Sequence, residues 1–335
     1  SPEREVSLAS GSLIANSLMK SGHDVMLLDL YFGINSKDFE PEYRNIKMNR
    51  YYSYKISSNE PDLEKIKQEA YKSNKNSLIG EGVIDLCINA DIVFMALHGS
   101  IGENGKLQAL FDIYGIKYTG TGFAGSLLAM NKNLSKEIMR QNDILTANWI
   151  KLSLEDSNIN YDIIKFPCVV KPCGCGSSIG VSIVQTLEEF KTALIYAKKY
   201  ECDIIVEEKI TGREFSVGIL ENQSLPPIEI IPKIGFYDYN NKYQANSSAI
   251  VEECPANISK ELEQNLKDIA LQVHKVLQLG SYSRIDFIVD ENNRIYCLEA
   301  NALPGMTPTS LLPQEASAVG INYDKLCEKI LLSSL

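Results

Sequence analysis

Apolar and polar residues alternate in two distinct ways along this chain. Short, nearly continuous apolar runs at 24–30, 91–97 and 203–208 predict strands, the second of them with the pattern of a buried strand. Segments between such runs predict helices. Strands and helices that follow one another in this order are typical of an α/β domain with a parallel sheet, which we expect in the first third of the chain.

Capping residues mark where several helices begin. Ser7 is predicted to cap a helix that runs to about residue 21, and Ser259 one that runs to about residue 277. Thr186 and Glu189 form a capping box for a helix to about residue 199. Further helices are predicted at 61–73, 123–129 and 132–142.

A hairpin is predicted near the end of the chain, where the runs 284–289 and 294–301 flank an Asp/Asn turn. Because side chains alternate between the faces of a strand, Arg284 and Asp286 share one face, and Glu299 and Asn301 share one face of the partner strand. Their oxygens are of the kind that Mg²⁺ binds together with waters and phosphates. The pattern leaves two interpretations open, a magnesium site and the polar face of an ordinary hairpin.

A loop rich in Gly and Ser, residues 173–180, joins the predicted strands 166–172 and 181–184. Backbone N–H groups in such a loop can close on phosphate oxygens. The loop is not a Walker motif, because no Gly-Lys-Ser/Thr precedes a helix. Phosphate binding and an ordinary connection both remain open at this point.

His98 follows the predicted strand 91–97 directly. The carboxyl end of a parallel strand is where α/β sheets place ligands, although a lone His is more often structural. His23 and His274 lie in no such context, and we interpret them as structural.

Composition narrows the class of protein. The 335 residues are 44% hydrophobic and 23% charged, which is ordinary for a globular protein of two or three domains. The net charge of -10 and the lack of a dense Lys/Arg run argue against binding to nucleic acid or an anionic membrane. No apolar run is long enough for a membrane span, and the chain opens with no signal-peptide pattern, so we expect a cytoplasmic protein. The eight cysteines lack the paired spacing of a zinc site or a disulfide framework.

Four motifs together carry a family resemblance. They are S-x-E-R-E-V-S-L-x-S-G from Ser1, L-H-G-x-x-G-E-x-G from Leu97, E-K-x-x-G-x-E-F from Glu208 and L-E-A-N-x-x-P-G-M-T-x-x-S-L from Leu298. In this combination the chain resembles the ATP-grasp carboxylate-amine ligases, and among them the D-alanine–D-alanine ligase family. The resemblance implies an ATP-grasp fold of α/β and α+β type with an N-terminal parallel-sheet domain. We expect domains at 1–126, 127–208 and 209–335, the second for nucleotide and the third for metal and substrate.

The resemblance also implies site residues. For catalysis these are Glu3, Ser177, Tyr243 and Arg284, and for substrate binding His98, Gly305, Ser310 and Leu311. For ATP they are Lys132, Lys171, Ser178, Glu208, Lys209, Ile210, Glu214 and Lys242, and for metal Asp286, Glu299 and Asn301. The adenine hinge is uncertain by one position, because the family often has one more residue between Glu208 and Glu214 than this chain has.

The implied reaction is ATP-dependent ligation of two D-alanines through an acyl phosphate, for peptidoglycan precursor synthesis. ATP is then a substrate, two Mg²⁺ ions are expected with Mn²⁺ as an alternative, and a homodimer is a family expectation. The alternatives are a D-serine or D-lactate variant, another ATP-grasp enzyme such as a biotin-dependent carboxylase component, and an inactive scaffold. The last would be expected to lack metal or phosphate residues, and none is missing in this chain.

Two regions depart from the family pattern. The family has a strand and a Gly-rich turn before the first motif, so we expect a short segment upstream of Ser1. Residues 35–80 are polar, and we interpret them as an insertion at the edge of the first domain.

Overall fold

Two antiparallel sheets form the framework of the chain. A computed structural model describes residues 3–33, 51–54, 65–66, 68, 77–156, 159–176, 179–232 and 250–335. Its strands are β1 (Trp149–Ser153), β2 (Cys168–Pro172), β3 (Ser182–Val184), β4 (Asp203–Glu208), β5 (Arg213–Leu220), β6 (Gln223–Ser224), β7 (Ile228–Pro232), β8 (Ile250–Glu253), β9 (Tyr282–Val289) and β10 (Ile295–Asn301).

The helices agree with the sequence prediction in most places. They are α1 (Arg4–Lys20), α2 (Val83–Ile88), α3 (Lys106–Tyr114), α4 (Phe123–Met130), α5 (Lys132–Gln141), α6 (Leu187–Ala197), α7 (Lys260–Val276), α8 (Leu311–Ala318) and α9 (Tyr323–Leu332), with short 3₁₀ turns at Ser100–Gly102 and Tyr161–Ile163. Thr186 and Ser259 cap α6 and α7 as predicted, since each side chain accepts a hydrogen bond from the first turn. The predicted helix at 61–73 lies largely outside the described residues.

The smaller sheet has the strand order β1-β4-β2-β3, and all its pairs are antiparallel. Helix α6 packs on one face of it. Phe190 on this helix is fully buried against Val170 and Ile204 of the strands.

The larger sheet has the order β10-β9-β5-β7-β8, with β6 paired to β5. Helix α7 packs on β5, β6, β9 and β10, and its apolar side chains meet Phe215 and Phe287 in a dry layer. Helix α8 covers β5 as well. The hairpin β9–β10 is therefore held rigidly by the central strand β5 and a helical layer.

The first helix begins earlier than its capping pattern predicts. Glu3, not Ser7, precedes the first turn of α1, so the predicted cap at Ser7 is wrong. The Ser7 hydroxyl instead donates to the Glu3 carbonyl and accepts from the backbone N–H of His98. A serine inside a helix commonly returns its hydroxyl to the carbonyl four residues earlier, and here the same oxygen ties α1 to the segment that carries His98.

The two N-terminal strands predicted at 24–30 and 91–97 are not assigned as strands. Among the described residues this region has one isolated parallel bridge, between Val93 and Tyr118. Both segments line a cavity of about 1050 Å³, together with apolar side chains of α1. The segments 24–30 and 91–97 are apolar, as predicted, but a strand is assigned only where it pairs with a neighbouring strand. The expected segment upstream of Ser1 stays a prediction.

The chain end closes back on its beginning. Helix α9 packs against α1, and Lys20 forms an ion pair with Asp324 across this contact. The core below it combines Ile14 and Phe111 from the first third with Leu326 from the last helix. The predicted domain limits at 126 and 208 remain predictions. None of the helices in the described ranges has the length and apolar character needed to cross a bilayer.

Gly125 makes possible the close approach of α4 to the segment that leads into β9. A Cβ atom there would lie 2.3 Å from the carbonyl oxygen of Gln278. We predict that Gly125→Ala lowers the free energy of unfolding by about 1–3 kcal/mol, despite the better helix propensity of Ala. Denaturant unfolding measures this change.

Gly11→Ala is the matched control, because Gly11 is also helical but its Cβ would meet side chains alone, the end of Leu27 at 3.1 Å and the Ala96 Cβ at 3.7 Å. A Gly125→Ala protein as stable as the Gly11→Ala protein would contradict the prediction.

Candidate active site

The hairpin β9–β10 brings the predicted metal ligands together. Asp286 lies directly opposite Glu299, and Arg284 lies opposite Asn301. A β-bulge makes this possible, because Cys297 pairs with Phe287 while Glu299 pairs with Asp286, which leaves Leu298 as the extra residue. Without the bulge, Glu299 would share the face of the buried Cys297. The polar faces of the two strands therefore coincide.

Asp286 is the most heavily bonded of these groups. Arg284 donates to it through two nitrogens, at 2.9 Å to Oδ1 and 2.8 Å to Oδ2. Ser216 Oγ donates to Oδ1 at 2.7 Å, and Asn301 Nδ2 donates to Oδ2 at 3.0 Å. The paired geometry of Arg284 and Asp286 fixes both side chains in the plane of a two-pronged ion pair.

Two lysines expected to bind ATP form ion pairs with carboxylates of this region. Lys132 Nζ lies 3.7 Å from Glu299 Oε2, and it donates to the carbonyl of Cys175 in the Gly/Ser-rich loop. Lys171 Nζ lies 2.6 Å from Glu207 Oε2. Lys132 therefore connects the loop between β2 and β3 with the hairpin β9–β10.

The first helix adds a carboxylate to the site. Glu3 is buried, and a Cβ at Gly176 would lie 4.0 Å from Glu3 Oε2 and 3.9 Å from Glu103 Oε2. Burial, with the nearby charge of Glu3 adding to it, raises the pKa of Glu103 to about 8. Its carboxylate also accepts a hydrogen bond from Gly99 N at 2.7 Å.

His98 is buried beside this group. Its Nε2 lies 3.4 Å from Ser10 Oγ. Burial lowers the pKa of His98 to about 4; a hydrogen bond with the Leu303 backbone opposes the shift, and the charge of Arg284 adds to it. The imidazole is therefore neutral near pH 7.

The segment after the hairpin is folded as a compact turn. Ser310 precedes α8, and its Oγ accepts from Thr307 N at 3.2 Å. A Cβ at Gly305 would lie 2.8 Å from the same oxygen, so Gly305 and Ser310 face each other. Leu311 is buried with Ile228 and Ile230 in an apolar cluster.

Four of the predicted nucleotide residues, Glu208, Lys209, Ile210 and Glu214, lie between the end of β4 and the start of β5. Glu208 ends β4, and its N–H donates to the carbonyl of Asn148, so that donor is already engaged. Lys209 and Ile210 follow at half-buried positions. Glu214 shares the face of Ser216 and Asp286 on the larger sheet. Ser177, Ser178, Lys242 and Tyr243 lie outside the described residues.

Models of two known domains match this chain. The D-ala D-ala ligase C-terminus matches residues 138–332, and the D-ala D-ala ligase N-terminus matches residues 1–121. The chain belongs to the D-alanine–D-alanine ligase family.

Individual members of the ligase family match along nearly the full length. The D-alanine–D-alanine ligase of Pediococcus pentosaceus is 42% identical over 99% of this chain and 94% of its own length. That of Lacticaseibacillus casei is 39% identical over 100% of this chain and 93% of its own length.

Solved structures of the ligase family share the fold. The D-alanine–D-alanine ligase of Bacillus anthracis matches with a TM-score of 0.69 and 36% identity, over 75% of this chain and 82% of that chain. A structure described as complexed with ATP, from the same organism, matches with a TM-score of 0.66 and 32% identity, over 76% of this chain and 82% of that chain. The predicted family and fold class are confirmed.

Four polar residues near the site escaped the sequence analysis. Ser216 donates a hydrogen bond to Asp286, and Glu103 lies near Glu3. Glu207 forms ion pairs with both Lys171 and Lys136. One signal was available for Lys136, which lies one helical turn after Lys132 and so shares its face. Glu207 and Ser216 sit in apolar strands, where only the pairing register reveals their partners.

The donors of Asp286, Glu299 and Asn301 suit Mg²⁺, which prefers carboxylate and amide oxygens. Within the described ranges no three His, Cys, Asp or Glu side chains form a group that could hold a metal ion. The expected site therefore cannot be recognised from these four residue types alone. The two carboxylates and the amide on one sheet face fit the expected ion. In this structure Lys132 forms an ion pair with Glu299, and Arg284 forms one with Asp286.

His98 gives the folded state a pH dependence. An imidazole whose pKa falls from 6.5 to about 4 on folding binds protons more readily in the unfolded chain. Its contribution to stability is therefore lost as the pH falls from 6.5 towards 4. We predict that His98→Gln loses less unfolding free energy than the wild type over this range, measured by urea unfolding at several pH values.

His274→Gln is the positive control, because burial also lowers the pKa of His274 to about 4, at a position where Ser283 is its partner. Parallel stability curves for wild type and His98→Gln would show that His98 does not carry this dependence.

Proposed function

We propose that this chain joins two D-alanines to D-alanyl-D-alanine at the expense of ATP, for the synthesis of peptidoglycan precursors. The observation that carries the proposal is that Asp286, Glu299 and Arg284 lie together on the hairpin and that the Lys132 ammonium lies 3.7 Å from Glu299 Oε2. A cytoplasmic location and a homodimeric state stay predictions.

The reaction has two steps. A carboxylate oxygen of the first D-alanine attacks the γ-phosphorus of ATP, which forms an acyl phosphate and releases ADP. The neutral amine of the second D-alanine then attacks the acyl carbon, the C–O bond to phosphate breaks, and the nitrogen releases one proton to the departing phosphate or to solvent as the peptide bond forms. Carboxylate oxygen is a poor leaving group and phosphate is a good one, so ATP supplies the activation.

Positive side chains stabilise the charge that moves in both steps. We assign Lys132 and Lys171 to the phosphates, and Arg284 with the Gly305 amide to the oxyanion of the second step. Mg²⁺ held by Asp286, Glu299 and Asn301 would supply further neutralisation of phosphate charge. Most of the rate enhancement then comes from positioning and electrostatics.

The amino acids are held at the other side of the hairpin. We assign Glu3 to the ammonium of the first D-alanine, with neutral His98 beside it. Ser310 binds the carboxylate of the second D-alanine, and Leu311 faces its methyl group. We assign Ser177 and Tyr243 to a network that closes the site over Glu3, and Ser178 and Lys242 to ATP.

Adenosine is assigned to the end of β4. Glu208, Lys209 and Ile210 provide the hinge, and Glu214 accepts hydrogen bonds from the ribose hydroxyls. Support comes from Glu214 lying on the same sheet face as Asp286, two strand positions from Ser216.

Glu299→Gln should abolish ligation while the protein stays folded. The substitution removes a charge that bound metal needs and keeps the side-chain shape. Phosphate release with ATP, Mg²⁺ and D-alanine measures the effect, and circular dichroism checks the fold.

Glu291→Gln is the matched control, since Glu291 is exposed in the turn of the same hairpin. Near-normal turnover of Glu299→Gln at ordinary Mg²⁺ concentrations would refute the assignment.

We expect D-alanine to be preferred over D-serine at the second position. Leu311 is apolar and packs on the buried Ile228 and Ile230, so its side chain offers a serine hydroxyl no partner. An unpaired buried hydroxyl costs roughly 1–3 kcal/mol, which is a preference of about tenfold to a hundredfold or so. Some product with D-serine is therefore expected.

The measurement is phosphate release across a panel of D-amino acids and D-lactate, followed by product analysis of a D-alanine and D-serine competition. D-alanyl-D-alanine should dominate near neutral pH. A mostly mixed dipeptide would support the D-serine variant, and no phosphate release with any D-amino acid would overturn the function itself.

A further inference from the structure

The turn between β10 and α8 is held by a side chain from the last helix. Residues 302–310, which include Gly305 and Ser310, form neither helix nor strand. A segment of this kind keeps its shape through individual hydrogen bonds, because its backbone groups have no regular ladder to join. The contacts that hold the turn therefore decide where its substrate groups stand.

Tyr323 makes the contact that comes from farthest along the chain. Its Oη donates to the carbonyl oxygen of Met306 at 2.6 Å, across seventeen positions of sequence. Tyr323 is the first residue of α9, and its ring packs against the core that contains the buried Met306. Burial raises the pKa of Tyr323, so the phenol stays protonated and remains a hydrogen-bond donor near pH 7.

The carbonyl that Tyr323 binds belongs to the same peptide group as the N–H of Thr307. This N–H donates to Ser310 Oγ at 3.2 Å. Because a peptide group is planar, fixing its oxygen also fixes the direction of its N–H. Tyr323 therefore orients the donor that Ser310 accepts from, although it lies 13 positions beyond Ser310 in the sequence.

The direction of this donor decides what the Ser310 hydroxyl can do. A serine hydroxyl has one proton to donate and two lone pairs, and a carboxylate can only accept. When a lone pair of Ser310 Oγ is occupied by Thr307 N–H, the hydroxyl proton is left to donate. In this structure Thr307 Oγ1 lies 2.8 Å from Ser310 Oγ, so the proton can turn from this neighbour to a carboxylate.

Helix α9 is a fixed support for Tyr323. The Asn322 side chain caps the helix by accepting from Lys325 N at 3.0 Å. Asp324, the next residue after Tyr323, forms the ion pair with Lys20 of α1. The residue that reaches the turn is therefore placed by the same helix that packs on α1.

We propose that Tyr323 is a positioning residue for the second D-alanine: by holding the Met306–Thr307 peptide group it presets the Ser310 hydroxyl to donate to the carboxylate of this substrate. The inference rests on the proposed function, because it assigns Ser310 to the second D-alanine. Tyr323 itself contacts the turn from the core side and acts through the backbone.

A merely structural role makes a different prediction. If the Tyr323 hydroxyl only stabilises the fold, its removal lowers the unfolding midpoint and leaves the kinetic constants of the folded enzyme unchanged. Positioning of Ser310 acts on the KM for the second D-alanine, whereas the KM for ATP and the KM for the first D-alanine stay nearly the same.

The main variant is Tyr323→Phe, which removes the hydroxyl and keeps the ring in the core. We expect the KM for the second D-alanine to rise about threefold to tenfold, the effect of one lost hydrogen bond, with the other two KM values within about twofold. Phosphate release over a range of D-alanine and ATP concentrations measures all three. An unchanged KM for the second D-alanine in the folded variant overturns the proposal.

Amide hydrogen exchange tests the position of the turn without substrate. Peptides that cover residues 303–310, followed by mass spectrometry, should exchange faster in Tyr323→Phe than in the wild type, because the bond from Thr307 N to Ser310 loses its support. The same exchange rate in both proteins also overturns the proposal.

A double-mutant cycle tests the route through Ser310. If Tyr323 acts through the Ser310 hydroxyl, Tyr323→Phe should change the KM for the second D-alanine by less than about twofold when Ser310→Ala is already present. An equal factor with and without Ser310→Ala overturns this route.

Tyr118→Phe is the matched control. It removes another phenol hydroxyl, which donates to Asp112 Oδ1 at 2.8 Å in an exposed hydrogen bond. Its kinetic constants should stay as in the wild type; an equal rise in the KM for the second D-alanine would show that the effect of Tyr323→Phe does not come from the turn, and would overturn the proposal. Absence of ligation by the wild type would instead be a failure of the proposed function, and the hydrogen-exchange comparison would still test whether Tyr323 holds the turn.

Discussion

The site depends on one irregularity in an otherwise regular hairpin. If β10 paired with β9 without the bulge at Leu298, Leu298 would stand opposite Asp286 and Glu299 would turn towards the dry core. Because Leu298 is an extra residue, Cys297 lies on the buried face and Glu299 lies on the polar face. A local change in register thus places the carboxylate of Glu299 on the same face as that of Asp286.

The bulge is useful only because its surroundings are rigid. Strand β5 pairs with β9 along its whole length, and it supplies Ser216 to Asp286 at the same time. On the other edge, the N–H of Cys297 donates to the carbonyl of Leu145, while its carbonyl accepts from Thr146. Both edges of the hairpin are therefore fixed beside the bulge, which is what a preorganised charge site requires.

The sequence predicts the elements of this fold better than their pairing. The hairpin, α5, α7 and β4 appear within a residue or two of the expected limits, because turns, caps and periodicity are local signals. Segments 24–30 and 91–97 have the apolar character of strands, yet ladder assignment depends on neighbours that the local sequence does not contain. The partners of Ser216 and Glu207 depend on register, so they become visible only in the folded chain.

The predicted site residues come from a different kind of signal. One sequence motif contains Glu299, Asn301, Gly305 and Ser310. In the structure Gly305 and Ser310 face each other in a compact turn after the hairpin. The residues that were missed, such as Lys136, touch the site only through other side chains. Residues that bind a ligand directly produce a sequence motif, because the chemistry dictates both their type and their spacing. A supporting residue needs only to reach its partner, and the fold can place it anywhere along the chain. The buried charges of Lys136 and Glu207 belong to this second kind, because the fold and not their spacing along the chain brings them together.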